Sequence, residues 1–395
     1  MVPFRQFLLK IHSRCNLACD YCYVYEGADQ SWRRRPRRME LATVRRTARR
    51  IAEHAAEHGL DEVSVVLHGG EPLLVGAGHL EALLAELSGI AGAGGPRVRF
   101  GLQTNGLRLL DEPALLDVLH RYRVSVGVSL DGTRADHDRH RRLPSGAGSW
   151  DRTAEAVRLL GSPRHRELFA GLLCVVDLAA DPVDTYEALL EFAPPRLDLL
   201  LPHGTWLAPP PGLQARTPPG APPTGAEPAP YGQWLIAAFD RWYGAPRRET
   251  GVRLFEELAV LLLGGRAASE AVGLAPVDLV VVEADGTVEQ ADSLKAAYDG
   301  APATGLDVWR HGFTEAAAHP AFRARQRGLA GLGAVCAGCP LARVCGGGLY
   351  AHRWAGDGFG HPSVYCADLD RLVRHIAGRL REGVAEVGGP LRGAR

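Results

Sequence analysis

The chain lacks any apolar run long enough to span a bilayer. Its first residues, Met1 to Lys10, lack the apolar core and small-residue cleavage site of a secretion signal. A cytoplasmic protein without membrane association is expected. In that compartment disulfides are rare, so the eight cysteines read as metal ligands or catalytic groups. Net charge is also missing: 45 Lys and Arg balance 45 Asp and Glu. That balance removes the whole-molecule attraction on which nucleic-acid binding relies, and no nucleic-acid partner is expected. Aromatic residues make up only 7% against 46% hydrophobic residues, a globular composition, and lysine is scarce. A length of 395 residues implies two or three units.

What the chain does contain is a regular alternation of apolar strands and amphipathic helices in its first half. Strands are expected at 7–11, 63–67, 98–104, 124–130, 169–176 and 197–201. Helices are expected near 41–58, 78–90, 112–121, 151–161 and 183–192. This order implies a parallel sheet of right-handed crossover units, hence an open or partial α/β barrel. Residues rich in chemistry fall just after strand ends, where parallel barrels build active sites. Nine prolines between 209 and 230 then make a polar, extended connection. Two helices follow, near 231–243 and 253–264. A second unit begins near Pro276, with a strand over 279–283 and a turn at Asp285-Gly286, and ends in a helix near 366–382. The expected divisions are 1–206, 207–275, 276–385 and a tail at 386–395. No internal repeat is visible.

Cys15, Cys19 and Cys22 follow the first strand with spacings of three and two residues. Three thiolates can ligate three irons of a four-iron cubane and leave the fourth iron open for chemistry. A zinc knuckle is the alternative, but no fourth Cys or His follows at zinc spacing. After the second strand comes His68-Gly69-Gly70-Glu71-Pro72. Its glycines allow close backbone approach, and its carboxylate can accept hydrogen bonds from a ligand ammonium. The fourth strand ends in Ser129 and Asp131, although Asp131-Gly132 also reads as a simple turn. Cys336, Cys339 and Cys345 are spaced by two and five residues, and Cys366 follows after twenty. Cys174 lies in an apolar strand and reads as core. Arg33, Arg34, Arg35, Arg37 and Arg38, with Arg45, Arg46, Arg49 and Arg50, read as a solvated face or a contact for an acidic peptide.

The N-terminal cysteine spacing, with Tyr21 before the third cysteine, resembles the cluster motif of the radical S-adenosylmethionine (SAM) enzymes. The resemblance implies a partial (β/α)6 TIM barrel. A [4Fe-4S] cluster on Cys15, Cys19 and Cys22 would chelate SAM and cleave it to a 5'-deoxyadenosyl radical. It further implies SAM contacts from Tyr21 (adenine), Gly69, Gly70 and Glu71 (methionine ammonium), Asn105, Ser129 and Asp131 (ribose), and Arg141 (carboxylate). The arginine assignment can slip by a position or two, and Asn105 can serve as a turn cap alone. The C-terminal cysteines resemble a reduced SPASM domain, an auxiliary-cluster module of peptide-modifying members. A full module carries a second, inner cluster. Here Ala291 and Leu349 stand where two of its cysteines would be, so one auxiliary [4Fe-4S] cluster on Cys336, Cys339, Cys345 and Cys366 is expected, with zinc as the alternative. Asp292 matches a proton-accepting aspartate of sulfatase maturases. It reads either as the catalytic base or as a substrate contact.

The segments Leu-Leu-Leu-Pro-His-Gly-Thr-Trp (199–206), Cys345 to Arg353 and Ser363 to Leu369 resemble the FxsB group of radical SAM/SPASM peptide maturases. That resemblance implies a ribosomal precursor peptide with aromatic residues as substrate, and a one-electron reductant such as flavodoxin or ferredoxin. The implied product is an aromatic-to-Cβ crosslink, a three-residue cyclophane. Fourteen residues precede Cys15, too few for a winged-helix leader-binding module, so docking on the barrel is expected. A formylglycine-forming sulfatase maturase, a thioether-forming maturase and a non-catalytic iron–sulfur carrier are the competing readings.

Overall fold

The computed structural model describes residues 1–387 except 93, 214–216 and 268. Most of the expected tail, 388–395, lies outside the described residues. One ten-stranded sheet organises the chain, in the order β10-β9-β8-β1-β2-β3-β4-β5-β6-β7. The strands are β1 Gln6–His12, β2 Glu62–Gly69, β3 Arg97–Thr104, β4 Ser125–Ser129 and β5 Phe169–Val175. They continue with β6 Arg196–Leu200, β7 Gly251–Val252, β8 Leu279–Val282, β9 Thr287–Glu289 and β10 Ala303–Asp307. All six expected strands are present within a residue or two of their expected ends, and the expected helices alternate with them.

The parallel part is wider than six strands. β7 pairs with β6, and β8 pairs in parallel with β1, Phe7 opposite Val280 and Leu9 opposite Val282. The boundary expected near 276 therefore falls between segments that share one sheet. Leu279–Val282 is a short apolar run, and a buried parallel strand tolerates side chains on both faces. β9 and β10 then turn back antiparallel.

Local sequence explains the layers. In β2, residues alternate between buried and half-buried, so Val63, Val65 and Leu67 face the helices' layer of the core. In the helix Leu41–Glu57, Val44, Thr47, Ala48, Ile51, His54 and Ala55 recur at helical spacing and form its buried face. Each large apolar side chain so buried contributes about 1.5–3 kcal/mol. His54 adds a polar lock: its Nε2 accepts the Phe4 amide at 3.0 Å.

Two findings differ from the expectations. The proline-rich stretch is folded onto the body of the protein. Leu213 is fully buried, Tyr231 Oη donates to the Pro211 carbonyl at 2.9 Å, and Arg371 donates to the carbonyls of Gly225 and Glu227. Proline supplied the extended backbone, but the few apolar residues between the prolines decided that it packs. The arginine run is largely committed within the chain. Arg35 binds Asp285 at 2.5 Å and Glu289 at 2.6 Å, Arg46 and Arg50 donate to the Val308 carbonyl, and Arg45 pairs with Glu86. Beside Arg35 the Lys295 ammonium lies 3.0 Å from both Glu283 and Glu289 and 3.7 Å from Asp29, all buried. This ionic cluster fastens the segment after the first cysteines to the β8–β9 region.

Candidate active site

The cysteine loop leaves β1 and is clamped by the end of β2. Gly70 donates to the His12 carbonyl and Glu71 to the Arg14 carbonyl, both at 2.9 Å. A Cβ on Gly69 would stand 2.2 Å from His12 O, and one on Gly70 would stand 1.8 Å from Tyr25 Oη. The two glycines thus permit the close packing of these two loops. The loop itself makes a helical turn: Cys22 donates to the Cys19 carbonyl, and Glu26 to the Cys22 carbonyl.

The three thiols influence one another. Burial first, then the Glu71 carboxylate and the other two thiols push Cys15 up to about 12. Burial likewise raises Cys19, with Arg141 opposing. Neighbouring buried thiols such as Cys15 and Cys19 ionise together only against a shared cation, which is the chemistry of a metal cluster. The Cys15 sulfur also receives the Leu17 amide at 3.4 Å and Asn105 Nδ2 at 3.8 Å, donors of the kind that stabilise a ligating thiolate. The residues present therefore fit an iron–sulfur group with three protein ligands.

Several of the expected SAM-contacting side chains bond to one another. Glu71 is fully buried and accepts from Leu73 N, Thr104 Oγ1 and Asn105 N at 2.8–2.9 Å. Its carboxylate ties the ends of β2 and β3 together. Asn105 also donates to Asn16 Oδ1 at 2.8 Å, and Ser129 accepts from Gln103. Tyr21 donates to Asp131 and accepts from Arg141 Nη1 at 2.8 Å, while Asp131 Oδ1 accepts the Val175 amide. Arg141 is buried, and its Nε has no hydrogen-bond partner. A charged donor left open in this way suits a carboxylate ligand. Beside it, Tyr21, Asp131, His140, Cys174 and Tyr231 border a cavity of about 70 Å³. Cys174 is buried, as expected, and also forms part of this wall.

A larger cavity of about 380 Å³ lies between β1, β6 and the β8–β9 region. Asp292, His68, Tyr23, His203 and His352 line its polar side, and Leu8, Leu200, Leu349 and Leu369 its apolar side. Lys10 Nζ reaches Asp292 Oδ2 at 2.5 Å and His68 Nδ1 at 3.3 Å. Despite the burial that opposes ionisation, Lys10, Lys295 and His68 hold the Asp292 carboxyl down at about 2. Its Oδ1 remains without a hydrogen-bond partner. Burial and the Lys10 charge lower His68 to about 4, and burial lowers His203 to about 4, so both imidazoles are neutral near pH 7. His203 Nδ1 stands 3.3 Å from His352 Nε2, and the His203 ring meets Tyr23 edge-on at 4.5 Å. The chain's only two lysines, Lys10 and Lys295, are both buried and both act on Asp292.

The four C-terminal cysteines also meet. Cys336, Cys339, Cys345 and Cys366 line a single small apolar cavity of about 20 Å³, roofed by Pro222 and Pro223. Gly346, Gly347 and Gly348 all take positive φ, 64°, 79° and 68°, and wrap the chain around the site. The buried Arg353 guanidinium donates to the carbonyls of all three. Burial, with the other thiols adding, raises Cys345 to about 11 and Cys366 further, while Arg353 opposes the rise at Cys345. Four thiols around one cavity beside a fixed positive charge suit a four-iron cluster, while among the described residues no three of them lie within the 4.8 Å that a single zinc ion requires.

Residues 9–166 match the Radical SAM superfamily. The match takes in the end of β1, the N-terminal cysteine loop and strands β2 to β4. Superfamily members use a [4Fe-4S] cluster and SAM. The chain resembles a serine-type anaerobic sulfatase-maturating enzyme of Klebsiella aerogenes, 30% identical over 191 residues, 48% of this chain and 44% of that enzyme. It thus spans less than half the length of that relative. A cysteine-type anaerobic sulfatase-maturating enzyme of Clostridium perfringens (strain 13 / Type A) is 24% identical over 318 residues, 79% of this chain and 78% of its own length. Among solved structures, native anSMEcpe with bound AdoMet superposes with a TM-score of 0.76 at 21% identity, covering 96% of this chain and 98% of that one. Streptococcus suis SuiB bound to the precursor peptide SuiA gives 0.57 at 12% identity, covering 92% and 76%. At these identities the likeness is one of fold, and it extends through the C-terminal part of the chain. Among the described residues no helix is long and apolar enough to cross a membrane.

Sequence reasoning missed Lys10, Tyr23, His352, Arg353 and Asn16 as parts of the site. The scarcity of lysine was the one available signal, since a basic residue used only twice in the chain has a specific place to fill.

Proposed function

We propose that the chain is a radical SAM peptide maturase that joins an aromatic side chain to an unactivated Cβ of its substrate. The observation that carries this reading is the 380 Å³ cavity, whose walls combine leucines and aromatic rings with the open oxygen of Asp292. A cavity of this kind receives an apolar side chain and offers a proton acceptor at one point. Cys15, Cys19 and Cys22 would hold the cluster that, with SAM, supplies a hydrogen-abstracting radical. Arg141 Nε would take the SAM carboxylate, and the Gly69-Gly70 backbone would lie along its methionine moiety. Glu71 and Asn105 keep that wall rigid, and Asp131 with Tyr21 fixes Arg141. Ser129 would stand beside the ribose. The apolar wall and the Tyr23, His203 and His352 rings would hold the reacting aromatic side chain and exclude water. Asp292 Oδ1 would accept the proton lost when the ring regains aromaticity, and Lys10 keeps it ionised for that step. Cys336, Cys339, Cys345 and Cys366 would hold an auxiliary [4Fe-4S] cluster that takes the electron, with flavodoxin or ferredoxin as reductant. The domain divisions at 206 and 275 belong to this reading, with the cavity at their junction.

A second reading is favoured by the sulfatase-maturating relatives: oxidation of a serine or cysteine to formylglycine. The deciding experiment is anaerobic coexpression with short neighbouring reading frames, followed by tandem mass spectrometry. A crosslink removes two hydrogens, blocks fragmentation between the joined residues and introduces no aldehyde. A product that forms a hydrazone would establish formylglycine and defeat the crosslink reading.

A further inference from the structure

Arg325 is buried behind the main cavity, with its side chain only 2% exposed. Its Nη2 reaches Glu270 at 2.5 Å. Its Nε and Nη1 have no hydrogen-bond partner. Leaving two donors of a charged group unmet in the interior costs several kcal/mol, and native proteins avoid this unless a ligand or water completes the site. The guanidinium borders a second cavity of about 60 Å³, with Tyr350, Leu274, Leu332 and Arg353 around it. Ser269, Glu270, Ala275 and Val277 line both it and the 380 Å³ cavity, so the two lie side by side and share a wall.

The electrostatics favour an anion. Arg325 and Arg353 both stand over the Tyr350 ring, at 5.4 and 5.5 Å from its centre. Among the described residues lining this cavity the one carboxylate is Glu270, whose side chain is 25% exposed, while Arg353 is set against the C-terminal thiols. Arg353 Nε and Nη2 are already bound to three backbone carbonyls, and its charge also faces the Cys336 and Cys345 thiols. Arg325 is the group with donors to give.

We propose that Arg325 forms a carboxylate-binding subsite that holds an acidic group of the peptide substrate while a neighbouring side chain occupies the main cavity. The inference rests on the peptide-substrate reading above and adds a specificity element to it. The carboxylate comes either from an Asp or Glu side chain or from the peptide C-terminus, and both present the same chemistry to Arg325. Nε and Nη1 lie on different edges of the guanidinium, with Nη2 between them bound to Glu270, so a carboxylate takes a charge-assisted hydrogen bond from one of the two.

The test uses the anaerobic, cluster-loaded protein and three peptides in calorimetry. Acetyl-Phe-Ala-Asp-amide offers a side-chain carboxylate, acetyl-Phe-Ala-Ala with a free C-terminus offers a terminal one, and acetyl-Phe-Ala-Asn-amide offers none. At least one carboxylate peptide is expected to bind roughly tenfold more tightly than the Asn peptide, and the preferred one identifies the source. The gap should close in Arg325→Gln and widen in Glu270→Gln, which removes the competing carboxylate. The inference is overturned if the wild type shows no carboxylate preference, which includes the case in which no peptide binds and water alone fills the subsite. It is also overturned if a folded Arg325→Gln keeps the preference. Should that variant not fold, an unchanged or narrower gap in Glu270→Gln overturns it. Release of 5'-deoxyadenosine after reduction, measured on the same samples, tests the radical SAM chemistry separately.

Discussion

Lys10 Nζ lies 2.5 Å from Asp292 Oδ2, and the two side chains are only 3% and 8% exposed. One comes from the first strand and the other from the C-terminal part, 282 residues later. The pair therefore joins the cysteine-bearing barrel to the wall of the cavity, and it leaves one carboxylate oxygen open.

Removing one partner of such a pair strands a buried charge. Lys10→Met is expected to cost about 3–5 kcal/mol in urea unfolding. The double variant Lys10→Met with Asp292→Asn should lose clearly less than the sum of the single losses. Asp292→Asn alone should release 5'-deoxyadenosine while forming little or no modified peptide. Normal peptide product from Asp292→Asn would remove Asp292 from the reaction.

Buried neutral histidines set the acid limit. Burial lowers His54 to about 4 and His137 to about 2. In the unfolded chain each takes a proton near 6.5. A depressed folded value means the stabilisation is present above 6.5 and is lost as pH falls through about 4. For His54 this loss is roughly 3 kcal/mol. His54→Gln is expected to flatten the decline of stability between pH 6.5 and 4, read from denaturation at several pH values. An unchanged slope would show that His54 is not the titrating group.

Gly70→Ala places a methyl 1.8 Å from Tyr25 Oη and 2.6 Å from the Arg14 carbonyl. The tyrosine can move, whereas the backbone of the cysteine loop moves only by displacing the thiols. Loss of N-terminal iron and of SAM cleavage is expected, and Tyr25→Phe should not restore either. Gly78→Ala meets nothing within 4 Å in the helix Ala77–Ser88 and should be neutral or stabilising by up to about 1 kcal/mol.

The C-terminal thiols allow a count. With two four-iron clusters the reconstituted chain carries about eight irons, and Cys345→Ala should keep about four. SAM cleavage should survive that change, because the N-terminal thiols are untouched. Zinc at one per chain in the wild type, with iron unaffected by the substitution, would assign the site to zinc.

Much of the fold was legible because its signals are local. Alternation in β2 and helical spacing in Leu41–Glu57 are written in consecutive residues, and each element forms where its pattern lies. The clustering of Cys336, Cys339 and Cys345 was legible for the same reason. Not legible was the placement of β8 beside β1, since a four-residue apolar run carries no address for its partner. The packing of the proline stretch over the C-terminal cysteines was hidden likewise, as was the internal use of Arg35, because a charge run reads as a solvated face until its partners are known.

By itself the sequence determined the cysteine spacings, the strand–helix alternation and the residues at the strand ends. Those depend on neighbours in the chain. Only the tertiary structure decided that Lys10 locks Asp292, that the glycines of 69–70 pack on the cysteine loop, and that His203, His352 and Tyr23 share one cavity wall. These depend on distances between segments as much as 282 residues apart, which burial of the shared sheet fixes and no local pattern encodes.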